Sequence, residues 1–82
     1  MDQRQRIRKF VLENFLFSDD ESALDDQNSL IRSGILDSTG IHELIMFIEE
    51  QFSLIVTPEE MVPANFDSID TVDAFVNRKR AA

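Results

Sequence analysis

Ser38 and His42 are the side chains best suited to chemistry in this sequence, and they stand four positions apart in "GILDSTGIHELIMFIEEQF", residues 34–52. On a helix that spacing puts both on one face. A hydrolase reading makes His42 the base for Ser38, with some carboxylate orienting the imidazole. The rest of the chain offers little to such a site, because an 82-residue bundle has scant room for a substrate pocket and no segment suggests an oxyanion hole. His42 therefore reads as a surface histidine. One histidine and no cysteine leave no ligand set for a catalytic zinc ion. The two glycines, Gly34 and Gly40, cannot make a glycine-rich phosphate loop.

Ser38 keeps two readings. Asp37 and Ser38 are both capping residue types, and a cap alone explains their place at the mouth of a helix. A serine there also lies beside unpaired backbone N–H groups and the positive end of the helix dipole. That setting favours a phosphodiester on its hydroxyl by roughly 0.3–1 kcal/mol. Local physics permits an attachment point and does not require one.

The helix behind Ser38 runs to about Phe52. Ile41, Leu44, Ile45, Ile48 and Phe52 recur at i, i+3, i+4, i+7 and i+11, one coherent buried stripe. Phe47 reaches toward the edge of that stripe. Met46 points away from it, among His42, Glu43, Glu49 and Glu50, either as a stray surface residue or as an adaptable anchor for a partner protein.

Four further segments must position this helix. Asp2 is a good N-cap for a first helix whose Ile7, Phe10, Val11 and Phe15 share a face, with Arg6, Arg8, Lys9 and Glu13 on the wet side. That helix should fail around Phe17, before Ser18-Asp19-Asp20-Glu21. Residues 18–36 then form a long acidic connection pinned by Leu24, Leu30, Ile31, Ile35 and Leu36. An EF-hand over Asp19–Leu30 fails by position: Ala23, Leu24 and Leu30 stand where a ligand, the turn glycine and the bidentate glutamate are needed. Thr57-Pro58-Glu59-Glu60 is a capping box with proline at the first helical position, and Pro63 ends that turn. Asp67 or Ser68 caps a last helix that turns Ile69, Val72, Phe75 and Val76 inward. Its Arg78-Lys79-Arg80 end complements the helix dipole.

Composition bounds the rest. Eighty-two residues make a single domain, 1–82, near the lower limit for an unstapled core. The net charge of −8 is uneven: residues 10–77 hold 15 carboxylates against Arg32 alone, with cations gathered at both ends. An acidic body repels phosphate backbones and attracts basic protein surfaces, so nucleic acid is not the expected ligand. The longest apolar run, Leu44–Ile48, is too short for membrane insertion, and no signal peptide is visible. A cytoplasmic protein is expected.

Gly34-Ile35-Leu36-Asp37-Ser38, followed by a helix ending Ile48-Glu49-Glu50-Gln51-Phe52, resembles an acyl carrier protein. The likeness covers nearly the whole chain: first helix, long acidic loop, Asp-Ser helix start, Glu-Glu-x-Phe helix end and the short elements to Val76. What the resemblance implies is an all-α, four-helix carrier-protein bundle, three principal helices plus a short third helix, that is not an enzyme. Ser38 would take a covalent 4′-phosphopantetheine from coenzyme A, whose thiol would hold acyl or aminoacyl groups as thioesters. The second helix would be the recognition helix, with Asp37, Thr39, His42, Glu43, Met46, Glu49 and Glu50 as the docking face. Its partners would be a phosphopantetheinyl transferase, an acyl- or aminoacyl-activating ligase, and acyltransferase or synthase enzymes of fatty acid or secondary metabolite biosynthesis. Ile41 and Leu44 would be core positions near a bound chain, and the carrier would be a monomer.

Three residues depart from the family pattern. Thr39 replaces the usual aliphatic residue after the serine, Gly40 an acidic or polar one, and His42 an aliphatic one. Glycine in a first helical turn costs roughly 0.5–1 kcal/mol against alanine, which points to close backbone approach or a loosened helix start. These departures imply a specialised carrier rather than the housekeeping fatty-acid carrier. The competing reading, from a different class, is an unmodified acidic helical adaptor that binds partners through the second helix, with Ser38 only a cap.

Overall fold

Asp2 starts the first helix. Its carboxylate accepts the Gln5 N–H at 2.8 Å while the Gln5 side chain takes the Asp2 N–H at 3.1 Å, a reciprocal cap on α1, Gln3–Val11. This computed structural model describes residues 2–81. Ile7 and Val11 are fully buried, and Phe10 and Phe15 pack partly buried against the core. After Val11 the chain widens into a π-helical turn, Leu12–Leu16, and stops at Phe17 in the left-handed region, φ 51°. Leu12 joins the core in that turn, a residue the α-helical spacing leaves out.

Arg8 does not lie on the wet side. Its side chain is only 14% exposed, donates to the Leu24 and Glu21 carbonyls, and pairs with Asp26. Arg4 meets Asp26 at 3.0 Å and Asp73 at 3.1 Å, and also pairs with Asp70. The reason is electrostatic: α1 packs beside acidic segments, and its cations are the counter-ions that let those carboxylates approach one another.

The connection from Phe17 to Asp37 contains a short 3₁₀ turn, Glu21–Ala23, and is pinned as expected, with Leu24, Leu30 and Leu36 buried and Ile31 and Ile35 partly so. Its carboxylates serve the fold: Asp20 caps the Ser22 N–H, Asp25 the Gln27 N–H, and Asp26 holds the arginines. The start of the last helix fastens it from the other side. Asp67 accepts from Ser29 Oγ at 2.6 Å and from the Leu30 and Ile31 N–H groups, while the Asp26 carbonyl accepts from the Asp70 N–H at 3.0 Å.

α2 spans Ser38–Phe52, about 22 Å at the α-helical rise. Leu44, Ile45, Ile48 and Phe52 are buried and Ile41 partly so, and the helix ends at Ser53, φ 53°. Thr57 and Glu60 close their capping box around a 3₁₀ turn, Pro58–Glu60. Pro63 opens the next element rather than only ending this one: its fixed φ suits the first position of α3, Pro63–Phe66. Ser68 caps α4, Ile69–Ala81, by exchanging hydrogen bonds with Thr71, which frees Asp67 for the long loop. Ile69, Val72, Phe75 and Val76 face the core, and α4 packs on α1 and α3.

The C-terminal cations do more than complement a dipole. Lys79 bridges to Glu60 at 2.8 Å, and the Arg80 guanidinium lies 5.7 Å above the Phe52 ring. The described residues hold four α-helices and no strand, the all-α bundle the sequence implies. Among them no helix is long and apolar enough to cross a membrane.

Candidate functional site

Asp37 caps α2. Its backbone is extended and its Oδ1 accepts the Gly40 N–H at 2.7 Å, while its carbonyl takes the Ile41 N–H at 2.9 Å. Ser38 is therefore the first helical residue, not the cap. That division leaves the Ser38 and Thr39 N–H groups outside the intrahelical pattern, at the positive end of the dipole. The Ser38 side chain is exposed. An anionic ester on its oxygen would meet two unpaired donors there, so the position fits a phosphodiester chemically.

Gly40 is buried in this first turn, and close approach explains it. A Cβ on Gly40 would lie 3.1 Å from Leu36 Cδ2, 3.1 Å from Phe15 Cε1 and 3.3 Å from Asp37 Oδ1. The π-helical turn brings the Phe15 ring to this point, so the end of α1 abuts the start of α2 directly.

The solvent face of α2 carries Thr39, His42, Glu43, Met46 and Glu50, all exposed, with exposed Asp37 at its head. Met46 is 57% exposed, an apolar side chain between carboxylates. Glu49 differs from the rest of the expected face. It is partly buried, and its Oε2 accepts the Val56 N–H at 3.0 Å, fastening the chain that leaves the helix. No hydrogen bond joins His42 to Ser38 among the described residues, and both side chains open onto solvent. Phe47 reaches the core edge by stacking on Phe10, ring centroids 4.1 Å apart, with Phe15 edge-on to Phe10 and Phe52 edge-on to Phe47. This ladder of rings seals the α1–α2 seam.

Among the described residues, four large apolar side chains other than Met46 are exposed without any role assigned from the sequence. Phe17 is 83% exposed beside the head of α2, and Ile55, Met61 and Val62 are exposed around the 3₁₀ turn. The available signal was the lack of a periodic partner: Phe17 falls off the α1 stripe, and the other three belong to no helical face.

No family model matches the chain. Over 62 residues it is 31% identical to a curated relative, the probable acyl carrier protein PigG of Serratia sp. (strain ATCC 39006), covering 76% of this chain and 71% of the relative.

Proposed function

The chain belongs to the acyl carrier protein family, which gives it a carrier role beside partner enzymes, and we propose that it fills this role through 4′-phosphopantetheine joined to the Ser38 hydroxyl. The observation that carries the reading is the arrangement at the head of α2: an exposed serine at the first helical position, capped from behind by Asp37, with two backbone donors beside it.

In loading, the Ser38 oxygen forms a bond to the coenzyme A phosphorus next to pantetheine, the bond from that phosphorus to the departing 3′,5′-ADP breaks, and the serine proton passes to a base of the transferase. The Ser38 and Thr39 N–H groups would hold the resulting anionic ester, while Asp37, through its hydrogen bond from the Gly40 N–H, keeps the turn in register. When bound, the group supplies a thiol that holds acyl or aminoacyl chains as thioesters. The chain itself presents this tether and performs no step on the cargo.

Glu43, Met46 and Glu50 form the centre of the surface read by the transferase and by loading and consuming enzymes, with Asp37, Thr39 and His42 at its upper edge. Carboxylates around an exposed thioether suit partners with a basic rim and an apolar pocket. Glu49 supports this face from within. Thr39 and His42 both reach solvent here, which fits a carrier with dedicated partners.

The test is incubation with coenzyme A and a phosphopantetheinyl transferase, followed by intact mass. One phosphopantetheine is expected on the native sequence and none on Ser38→Ala. An unchanged mass of the native protein refutes the assignment, and partner binding that persists in unmodified Ser38→Ala favours an adaptor instead.

A further inference from the structure

Phe17 is the least economical residue on this surface. Its ring is 83% exposed, and its backbone sits at φ 51°, a region that bulky side chains rarely occupy and that glycine or asparagine fills with less strain. Two unfavourable features at one position point to a contact that the protein alone does not make.

The ring borders a groove of about 320 Å³ between the end of α1, the long loop and the head of α2. Phe15, Phe17 and Ile35 give it apolar walls, and Asn14, Thr39 and Glu43 give it a polar rim. Gly40 lines it too, as do Asp37 and Thr39, the two chain neighbours of Ser38. Whatever is tethered at Ser38 therefore starts at the edge of this groove.

We propose that the groove seats the pantetheine arm, with Phe17 covering the geminal methyl groups of its pantoyl unit. The inference rests on the Ser38 reading above. Reach and chemistry both favour this occupant. The methyl-bearing carbon lies four bonds from the serine oxygen, about 5 Å by extended-chain geometry, so it falls beside the residues flanking Ser38. The arm alternates an apolar methyl pair with amide N–H groups, and the groove alternates apolar walls with acceptors. The Asn14 Nδ2 already donates to the Phe10 carbonyl at 2.9 Å, which leaves its Oδ1 to accept. Thr39 Oγ1 and the Glu43 carboxylate are further acceptors on the rim. That rim is acidic, so the phosphate stays at the helix N-terminus while the neutral part of the arm enters the groove. Seated there, the arm lies on the loop side of α2, and the core packed around Leu44, Phe66 and Phe75 stays closed.

The experiment loads the full chain with phosphopantetheine carrying ¹³C-labelled pantoyl methyls and records NMR cross-peaks from those methyls. Loading is scored first by mass. The expected result is cross-peaks to Phe17 ring protons, with the methyl signals moved upfield of their position in free coenzyme A. Phe17→Ser should load fully and lose both effects, and Phe17→Tyr should keep them. Phe17 lies outside the core, so amide spectra of the unloaded variants should match the native protein away from residues 14–18. Complete loading with methyl signals at the free position, or with cross-peaks to core residues of α3 and α4, overturns this inference alone. Failure to load overturns the Ser38 reading and this one with it.

Discussion

The Phe15 ring lies against the backbone of Gly40, so close that a Cβ there would stand 3.1 Å from Phe15 Cε1. This contact joins the end of α1 to the head of α2 and lets Leu36 and Asp37 close around the turn. Helix propensity alone would favour any ordinary residue over glycine at this position by up to about 1 kcal/mol. Crowding decides the other way, because Leu36 is buried and cannot yield freely. Gly40→Leu is expected to destabilise the fold by about 1–3 kcal/mol, measured by urea denaturation. A variant as stable as the native chain would show that the α1–α2 contact adapts.

Asp37 and Ser38 separate cleanly by stability. Asp37 supplies the capping hydrogen bond, so Asp37→Ala should cost about 1 kcal/mol. Ser38 is exposed and already inside the helix, so Ser38→Ala should change stability by less than about 0.5 kcal/mol. Paired denaturation curves of the unloaded variants check this. A larger loss in Ser38→Ala would return the serine to a structural role.

Acid should loosen the joint between α1, the long loop and α4. Burial pushes the Asp26 carboxyl up, but the hydrogen bonds and charges of Arg4 and Arg8 together outweigh it and hold it below the ordinary carboxylate value. A folded value below the unfolded one gives stability that is complete above the unfolded value, about 3.9, and is lost as pH falls through the folded value. The hydrogen bond from Lys79, ahead of that from the Thr57 N–H, lowers Glu60 in the same sense. The melting temperature should therefore hold steady down to about pH 5 and drop below about pH 4. Asp26→Asn should melt lower at neutral pH and lose less in the acid window. An equally steep acid loss in that variant would assign the effect to other carboxylates.

Charge reversal on the outer face of α2 tests docking. Glu43→Lys with Glu50→Lys should slow transferase modification at low salt by roughly tenfold or more, and the gap should narrow as the screening length falls toward about 8 Å near 0.15 M salt. Glu49 is left intact, since its carboxylate holds the Val56 N–H. Equal rates for the native chain and the double variant at every salt concentration would remove these carboxylates from the docking face.

Much of this architecture was legible because its signals are local. Asp2, the Leu44–Phe52 stripe, the Thr57–Glu60 box and the inward face of α4 need only neighbours within a few residues, and each stands where the pattern puts it. The isolated leucines of the long loop were readable as anchors because an apolar residue in an acidic stretch has little other use. What escaped depends on partners far away in sequence. Arg8 is drawn inward by Asp26 and the Leu24 carbonyl, and Glu49 by Val56 after the chain has turned back. The π-helical turn and the left-handed Phe17 follow from how α1 meets the loop, which no spacing rule encodes. Gly40 was half legible: its misfit in a helix announced a close approach, but only the fold names Phe15 and Leu36 as the neighbours.

Asp67 and Asp26 fasten residues 26–31 to the first turn of α4, so two segments some forty positions apart share their amide protection. In deuterated water the Leu30 and Ile31 amides should exchange no faster than that of Asp70, because releasing either strip requires both to open together. Though nearly devoid of regular structure, the long connection then behaves as part of the same cooperative unit as the final helix.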